Sequence, residues 1–134
     1  MIDAVFTAIR TKLAATAAVT TLLSSASAIY RLEAGAVARP YIVMNVLGGG
    51  DVNDTQYDTF DVRVSVKAVA ETAGAAGGLA DAIRTALHGI ELTYTGGWKH
   101  IQCQHISPIA YPEPVDRVTL YHMGGIYRLR ASKR

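Results

Sequence analysis

The chain has 134 residues, 50% of them hydrophobic and 18% charged, with 13 Lys and Arg against 11 Asp and Glu. This is one domain's worth of chain, on the order of 100–200 residues, and folding at this size buries roughly two-thirds of the unfolded surface. A net charge of +2 with so much apolar content excludes a charge-rich disordered chain and a strongly cationic nucleic-acid coat. The single cysteine, Cys103, excludes an internal disulfide framework and lacks the C-x-x-C companions of a structural zinc or redox site.

From Asp3 to about Ala15, Val5, Phe6, Ile9 and Leu13 fall at helical spacing with Arg10 and Lys12 turned away, which predicts an amphipathic helix. Residues 17–23 add a short turn, ended near Ser24 by Thr and Ser hydroxyls that compete for backbone hydrogen bonds. The uncharged run from Leu13 to Tyr30, with Ala26-Ser27-Ala28 behind Arg10 and Lys12, imitates a signal-peptidase site. It is mostly Ala, Thr and Ser, whereas a spanning helix wants about 20 predominantly apolar residues. The residues before it are amphipathic and include Asp3, so the run is expected to be part of the fold, with no membrane partner.

A short strand is expected at residues 29–32. Pro40 then opens residues 41–47, a β-branched run closed by Gly48-Gly49-Gly50, since proline at a strand's first position costs no ladder bond. Between residues 57 and 70, Phe60, Val62, Val64, Val66 and Ala68 alternate with Asp61, Arg63, Ser65 and Lys67, the pattern of a half-buried strand. A second helix from about Thr72 to His88 places Leu79, Ala80, Ile83 and Leu87 on one stripe, with Gly89 as its stop. Gly74, Gly77 and Gly78 weaken its first half; each interior glycine costs roughly 0.5–1 kcal/mol relative to alanine, so tertiary packing must support it.

Three further strands are expected, at residues 90–94, 98–106 and 115–130. Gly96-Gly97 turns between the first two, and Pro112-Glu113-Pro114-Val115-Asp116 reads as a rigid turn before the last. Gly124-Gly125 marks a bulge or bend within it. Elements grouped in this way predict a single α+β domain over residues 1–134, with two helices packed on one face of a mainly antiparallel β-sheet.

No enzymatic constellation emerges. Gly48-Gly49-Gly50 is followed by Asp51, Asn53 and Asp54 and lacks the Lys-Ser/Thr pair of a phosphate loop. The same acidic stretch with Asp58 lacks the oxygen-ligand spacing and terminal Glu of a calcium loop. Cys103 and His105 share a strand face that His122 on a neighbouring strand can in principle join as a metal site, but no carboxylate stands out to orient it. Cys103 beside His100 or His105 has the residue types of a thiol nucleophile without a local signature, and it reads better as a small buried hydrophobe. Glu113 and Asp116 read as turn residues rather than a general acid/base pair. No catalytic residue, metal or cofactor is expected. The carboxyl end, Arg128-Leu129-Arg130-Ala131-Ser132-Lys133-Arg134, is basic and fits a partner surface.

The whole layout resembles the small tail-terminator, or tail-completion, proteins of long-tailed bacteriophages, also catalogued as minor tail proteins. The likeness rests on the amphipathic helix ending in Val19-Thr20-Thr21-Leu22-Leu23, on Ile29-Tyr30-Arg31, and on Arg39-Pro40-Tyr41-Ile42-Val43. It continues through the Phe60 to Val66 alternation, Ile83-Arg84-Thr85-Ala86-Leu87-His88-Gly89, and Tyr111-Pro112-Glu113-Pro114 with Asp116-Arg117-Val118-Thr119-Leu120. The resemblance implies a non-enzymatic virion protein that forms a ring, a hexamer in the family, on the tail tube. It would stop tube polymerisation, meet the tail-tube protein and the head-side connector, and leave a lumen through which DNA passes without sequence-specific binding. Within that picture Asp51, Asn53, Asp54 and Tyr57 are expected to contact a neighbouring subunit or the tube, and Arg128, Arg130, Lys133 and Arg134 a partner ring or the DNA path. The competing classes are a head-completion or connector ring protein of the phage neck and a small enzyme.

Overall fold

Helix α1, Ile2–Ala14, buries Ala4, Val5, Phe6, Ala8, Ile9 and Leu13 along one stripe, with Asp3 in its first turn and Lys12 in its last, each favourable to the helix dipole. Thr16 donates its hydroxyl to the Lys12 carbonyl at 2.7 Å and stands at the N-cap position of α2, Ala17–Thr20, where its backbone carbonyl accepts from Val19 N and Thr20 N. These assignments come from a computed structural model that describes residues 1–35, 37–52 and 58–133.

Strand β1, Ile29–Arg31, is short, and its Arg31 ties it to α1. Arg31 donates to Asp3 at 2.6 Å and to Thr7 Oγ1 at 3.0 Å, and its guanidinium lies over the Phe6 ring. Strands β2, Tyr41–Asp51, and β3, Thr59–Ala70, pair antiparallel. Helix α3, Ala73–Leu87, is capped by Thr72, whose Oγ1 accepts from Ala75 N at 3.1 Å, an arrangement worth about 1 kcal/mol. Gly89, with φ +70°, lets the chain leave the helix. Strands β4, Lys99–Val115, and β5, Val118–Ser132, form a long hairpin.

The sheet order is β1-β2-β3-β5-β4. Because β1 joins β2 in parallel while the other three pairings are antiparallel, the sheet is mixed rather than mainly antiparallel as expected. Among the described residues there are three helices instead of two, the extra one being the single turn α2. Helix α3 packs on β3 and β5, and α1 packs on α3 and β1. The expected alternation in β3 holds: Phe60, Val62, Val64, Val66 and Ala68 lie in one continuous core with Ile9, Leu13, Leu79, Ile83, Tyr127 and Leu129. Phe60 is clasped edge-on by Tyr94 and Trp98, with ring centroids at 5.6 and 4.8 Å. Such pairs add about 0.5–1.5 kcal/mol each beyond the area they bury.

Three expectations about the carboxyl-terminal half are corrected. Residues 90–94 form no strand: Gly89 N donates to the Cys103 carbonyl at 2.8 Å, His105 N to His88 Nδ1 at 3.0 Å, and Leu92 N to His100 Nδ1 at 3.3 Å. Imidazole nitrogens and isolated carbonyl bonds thus occupy the edge of β4 where a ladder would have run. The proline-rich stretch is not a turn, because β4 runs straight through Pro112 and Pro114; only Asp116 and Arg117 turn, with Asp116 at φ 52°, a left-handed conformation that aspartate tolerates. Gly124-Gly125 carries no bulge in the β3–β5 ladder, which stays in register from Thr59↔Ser132 to Ala70↔Tyr121. The irregularities lie in β4, at His100/Gln102 and His105/Ser107, and in β2, at Val46/Gly48. The two glycines are there for close approach: a Cβ on Gly124 would collide with the Val66 carbonyl, and one on Gly125 with the His105 ring.

Candidate functional site

The catalytic and metal alternatives do not assemble. Cys103 is buried and burial pushes its thiol up to about 12, the wrong direction for a thiolate nucleophile. By register Cys103 and His105 pair with Leu129 and Tyr127 on the core side, whereas His122 pairs with Val69 and Tyr111 on the outer side. There His122 stacks on Tyr111 at 4.6 Å and meets Glu113 Oε1 at 3.4 Å. Burial and Lys67 hold the His122 imidazole below the usual histidine range. Among the described residues no group of three or more His, Cys, Asp or Glu can hold a metal ion. A depression beside His88, Gly89 and residues 100–104 measures about 210 Å³, below the ~300–1,000 Å³ of ligand pockets. No helix among the described residues is long and apolar enough to cross a membrane.

What the fold does present is surface suited to other chains. The β3–β5 ladder ends at Ala70↔Tyr121 while β4 and β5 pair on to Val115↔Val118, so the hairpin projects beyond the sheet as a two-stranded arm. Val115 and Val118 on it are exposed, as are Tyr111, Ile106 and Ile101 on β4 within the sheet. A two-stranded ribbon alone is marginal in water, and exposed apolar side chains gathered on one element mark contact sites.

The edge of β4 is closed to strand addition. Backbone N–H groups alternate in direction along a strand, and Pro108, Pro112 and Pro114 share one parity in the ladder, opposite Gly125, Tyr121 and Thr119. Proline has no N–H, so three outward donors are missing over this half, the device by which natural edges resist pairing. Nearer the base, the 88–92 segment already uses the edge groups of Cys103 and His105. The arm therefore offers its faces, not its edge.

The basic residues expected to act together divide. Arg128 and Arg130 project from the outer face of β5 opposite Arg63 and Asp61, while Lys133 lies over the Trp98 ring at 4.8 Å. Arg128 grips Asp61 bidentately, at 3.0 Å from Nε to Oδ1 and 2.6 Å from its terminal nitrogen to Oδ2. The Arg128 hydrogen bonds hold the Asp61 carboxyl below the usual carboxylate range. Asp51 is exposed at the end of β2, opposite Phe60. Asn53, Asp54, Tyr57 and Arg134 lie outside the described residues. Sequence reading missed Arg63 and Asp61 as partners of the terminal arginines, and missed the arm; the signal for the arm was the apolar series Ile106, Ile109, Tyr111, Val115, Val118 interleaved with prolines.

The profile of tail completion protein gp17 matches residues 7–121. The chain belongs to the tail completion protein gp17 family. It is accordingly a structural component of a bacteriophage virion tail, in a family of structural proteins rather than enzymes. A chain of the virion of a native gene transfer agent particle has the same fold, with a TM-score of 0.79 and 19% identity over 98% of this chain and 96% of that one. No curated protein matches the chain.

Proposed function

We propose that this chain is a tail terminator: a closed ring, of six subunits, that caps the tail tube, stops its polymerisation and joins it to the head-side connector, leaving a lumen for DNA. The observation that carries this reading is the projecting β4–β5 arm with Val115 and Val118 exposed, continued by the exposed Tyr111 at its root, on a chain whose family is tail completion. An arm on one side of a small domain, with exposed valines among the charged Glu113, Asp116 and Arg117, suits a heterologous contact, which closes into a ring when the rotation between copies allows. The proline-closed edge of β4 directs that contact to side-chain surfaces and guards against open-ended strand pairing. Asp51 on the β2–β3 side is assigned to a neighbouring subunit or the tube, and Arg128 and Arg130 to the ring face that meets a partner.

Light scattering of the purified protein, alone and mixed with tail-tube protein, tests the reading. A ring of about six subunits, formed alone or on the tube, is expected. A monomer that ignores the tube would refute it and return the head-completion alternative to first place.

A further inference from the structure

The outer face of the sheet carries a compact charge array that register alone creates. One row across the strands reads Gly48, Arg63, Arg128, Gln104, and the next reads Gly50, Asp61, Arg130, Gln102. Two guanidinium groups lie within ion-pair distance of one carboxylate, Asp61, and the charge of a third, Arg63, also acts on it. Arg128 takes Asp61 bidentately, and Arg130 stands off, its Nε 3.7 Å from Asp61 Oδ2, enclosed and without a hydrogen-bond partner among the described residues. Arg63 is exposed and sits directly opposite Arg128, and like charges directly opposite in a ladder destabilise it. The glycines on β2 leave the flank of the array without side chains.

An exposed Arg63 facing another cation, beside an Arg130 whose side chain is partly exposed and only stands off from Asp61, suits an oxyanion from outside the subunit. We propose that Arg63, Arg128 and Arg130 form a recognition surface for the carboxylates of an acidic protein partner, with Asp61 holding Arg128 in its fork geometry. This rests on the terminator reading for its place in the ring, and deepens it by naming the partner's chemistry. The remainder of the outer face favours protein over nucleic acid. Among its described residues the accessible part carries Ile109, Tyr111 and Ile126 and two further cations, Lys67, whose Nζ donates to Tyr111 Oη at 2.8 Å, and Lys99, opposite Ser132. Duplex DNA is held by a stripe of cations along the phosphates, and this array is a spot. A ring would also repeat the array in each subunit, and multivalent phosphate binding would retard the DNA that must pass.

The test follows the arginine Nε–Hε NMR signals of the full chain during titration with a short polyglutamate peptide and, separately, with a short DNA duplex. Polyglutamate is expected to move the Arg63 and Arg130 signals, and Arg63→Glu to weaken that binding roughly tenfold or more, as loss of a charge-assisted contact implies. Arg63→Lys keeps most of it. Arg63→Glu removes the repulsion with Arg128, so its melting temperature should not fall, which separates lost binding from lost folding. Signals that ignore polyglutamate, or a duplex that binds more tightly through the same arginines, would overturn the proposal. Tube capping by the wild-type chain is scored apart: a wild type that caps tubes yet ignores polyglutamate sinks the array alone, and one that moves its arginine signals but leaves tubes uncapped sinks the terminator reading alone.

Discussion

One substitution, glycine to alanine, should have opposite effects at two places in this fold. At Gly124, in β5, the added Cβ would meet the Val66 carbonyl and lie 2.8 Å from the Lys67 Cα. Both are backbone atoms of the central strand β3, so no flexible side-chain end can yield and the β3–β5 ladder must shift. Overpacking of this kind costs about 1–3 kcal/mol, and a backbone obstacle puts Gly124→Ala at the upper end. At Gly78, inside α3, nothing lies within 4 Å of the added Cβ, and alanine gains about 0.5–1 kcal/mol over glycine in a helix. An unfolding entropy of ~2.1 cal/mol/K per residue over 134 residues is ~0.28 kcal/mol/K, or ~3.5 °C per kcal/mol. Gly124→Ala should then lower Tm by about 10 °C, and Gly78→Ala should raise it by about 2–3 °C. Circular dichroism melts at one fixed protein concentration read both, since assembly makes Tm concentration-dependent. A Gly124→Ala melt unchanged from wild type, or a Gly78→Ala melt below it, would refute the packing argument.

Thr72→Ala should cost about 1 kcal/mol by removing the cap on Ala75 N, and Thr72→Ser should restore most of it in urea titration. Burial holds the imidazoles of His100, His105 and His122 below the usual histidine range. The unfolded chain therefore takes up protons near pH 6.5 that the folded chain refuses. Stability should be full above about pH 6.5 and fall as pH drops below it, by at most about 1.4 kcal/mol per pH unit for each histidine; a urea midpoint flat from pH 7.5 to 5 would contradict this. Replacing Pro112 and Pro114 together by threonine restores two outward N–H donors on β4, and sedimentation should show concentration-dependent association beyond the wild-type species. Unchanged sedimentation would mean that the prolines do not guard the edge.

The elements whose signal is local could be read from the sequence. Strand β3 announces itself because one face is core and the other solvent, α1 because its apolar stripe faces a single layer, and α3 because Thr72 and Gly89 bracket it. What failed depended on partners distant in sequence. A β strand at residues 90–94 is sound by propensity, yet the histidine rings at 88 and 100 take the bonds it needed. Prolines at 112 and 114 look like a turn until the strand is known to be an edge, where a missing N–H costs nothing. The parallel joining of β1 is invisible in three residues. The site divides in the same way: Arg128 and Arg130 stand out as basic residues near the end, but Asp61 and Arg63, 67 residues before Arg128 in the case of Asp61, join them only through the β3–β5 register.

The central proposal, that this tail component ends tube growth, is tested most directly by electron microscopy of tail tubes polymerised from purified tube protein with and without the chain. Addition should yield tubes that stop growing, each with one ring at a single end. Tubes that keep elongating, with the protein unbound or spread along their length, would contradict it.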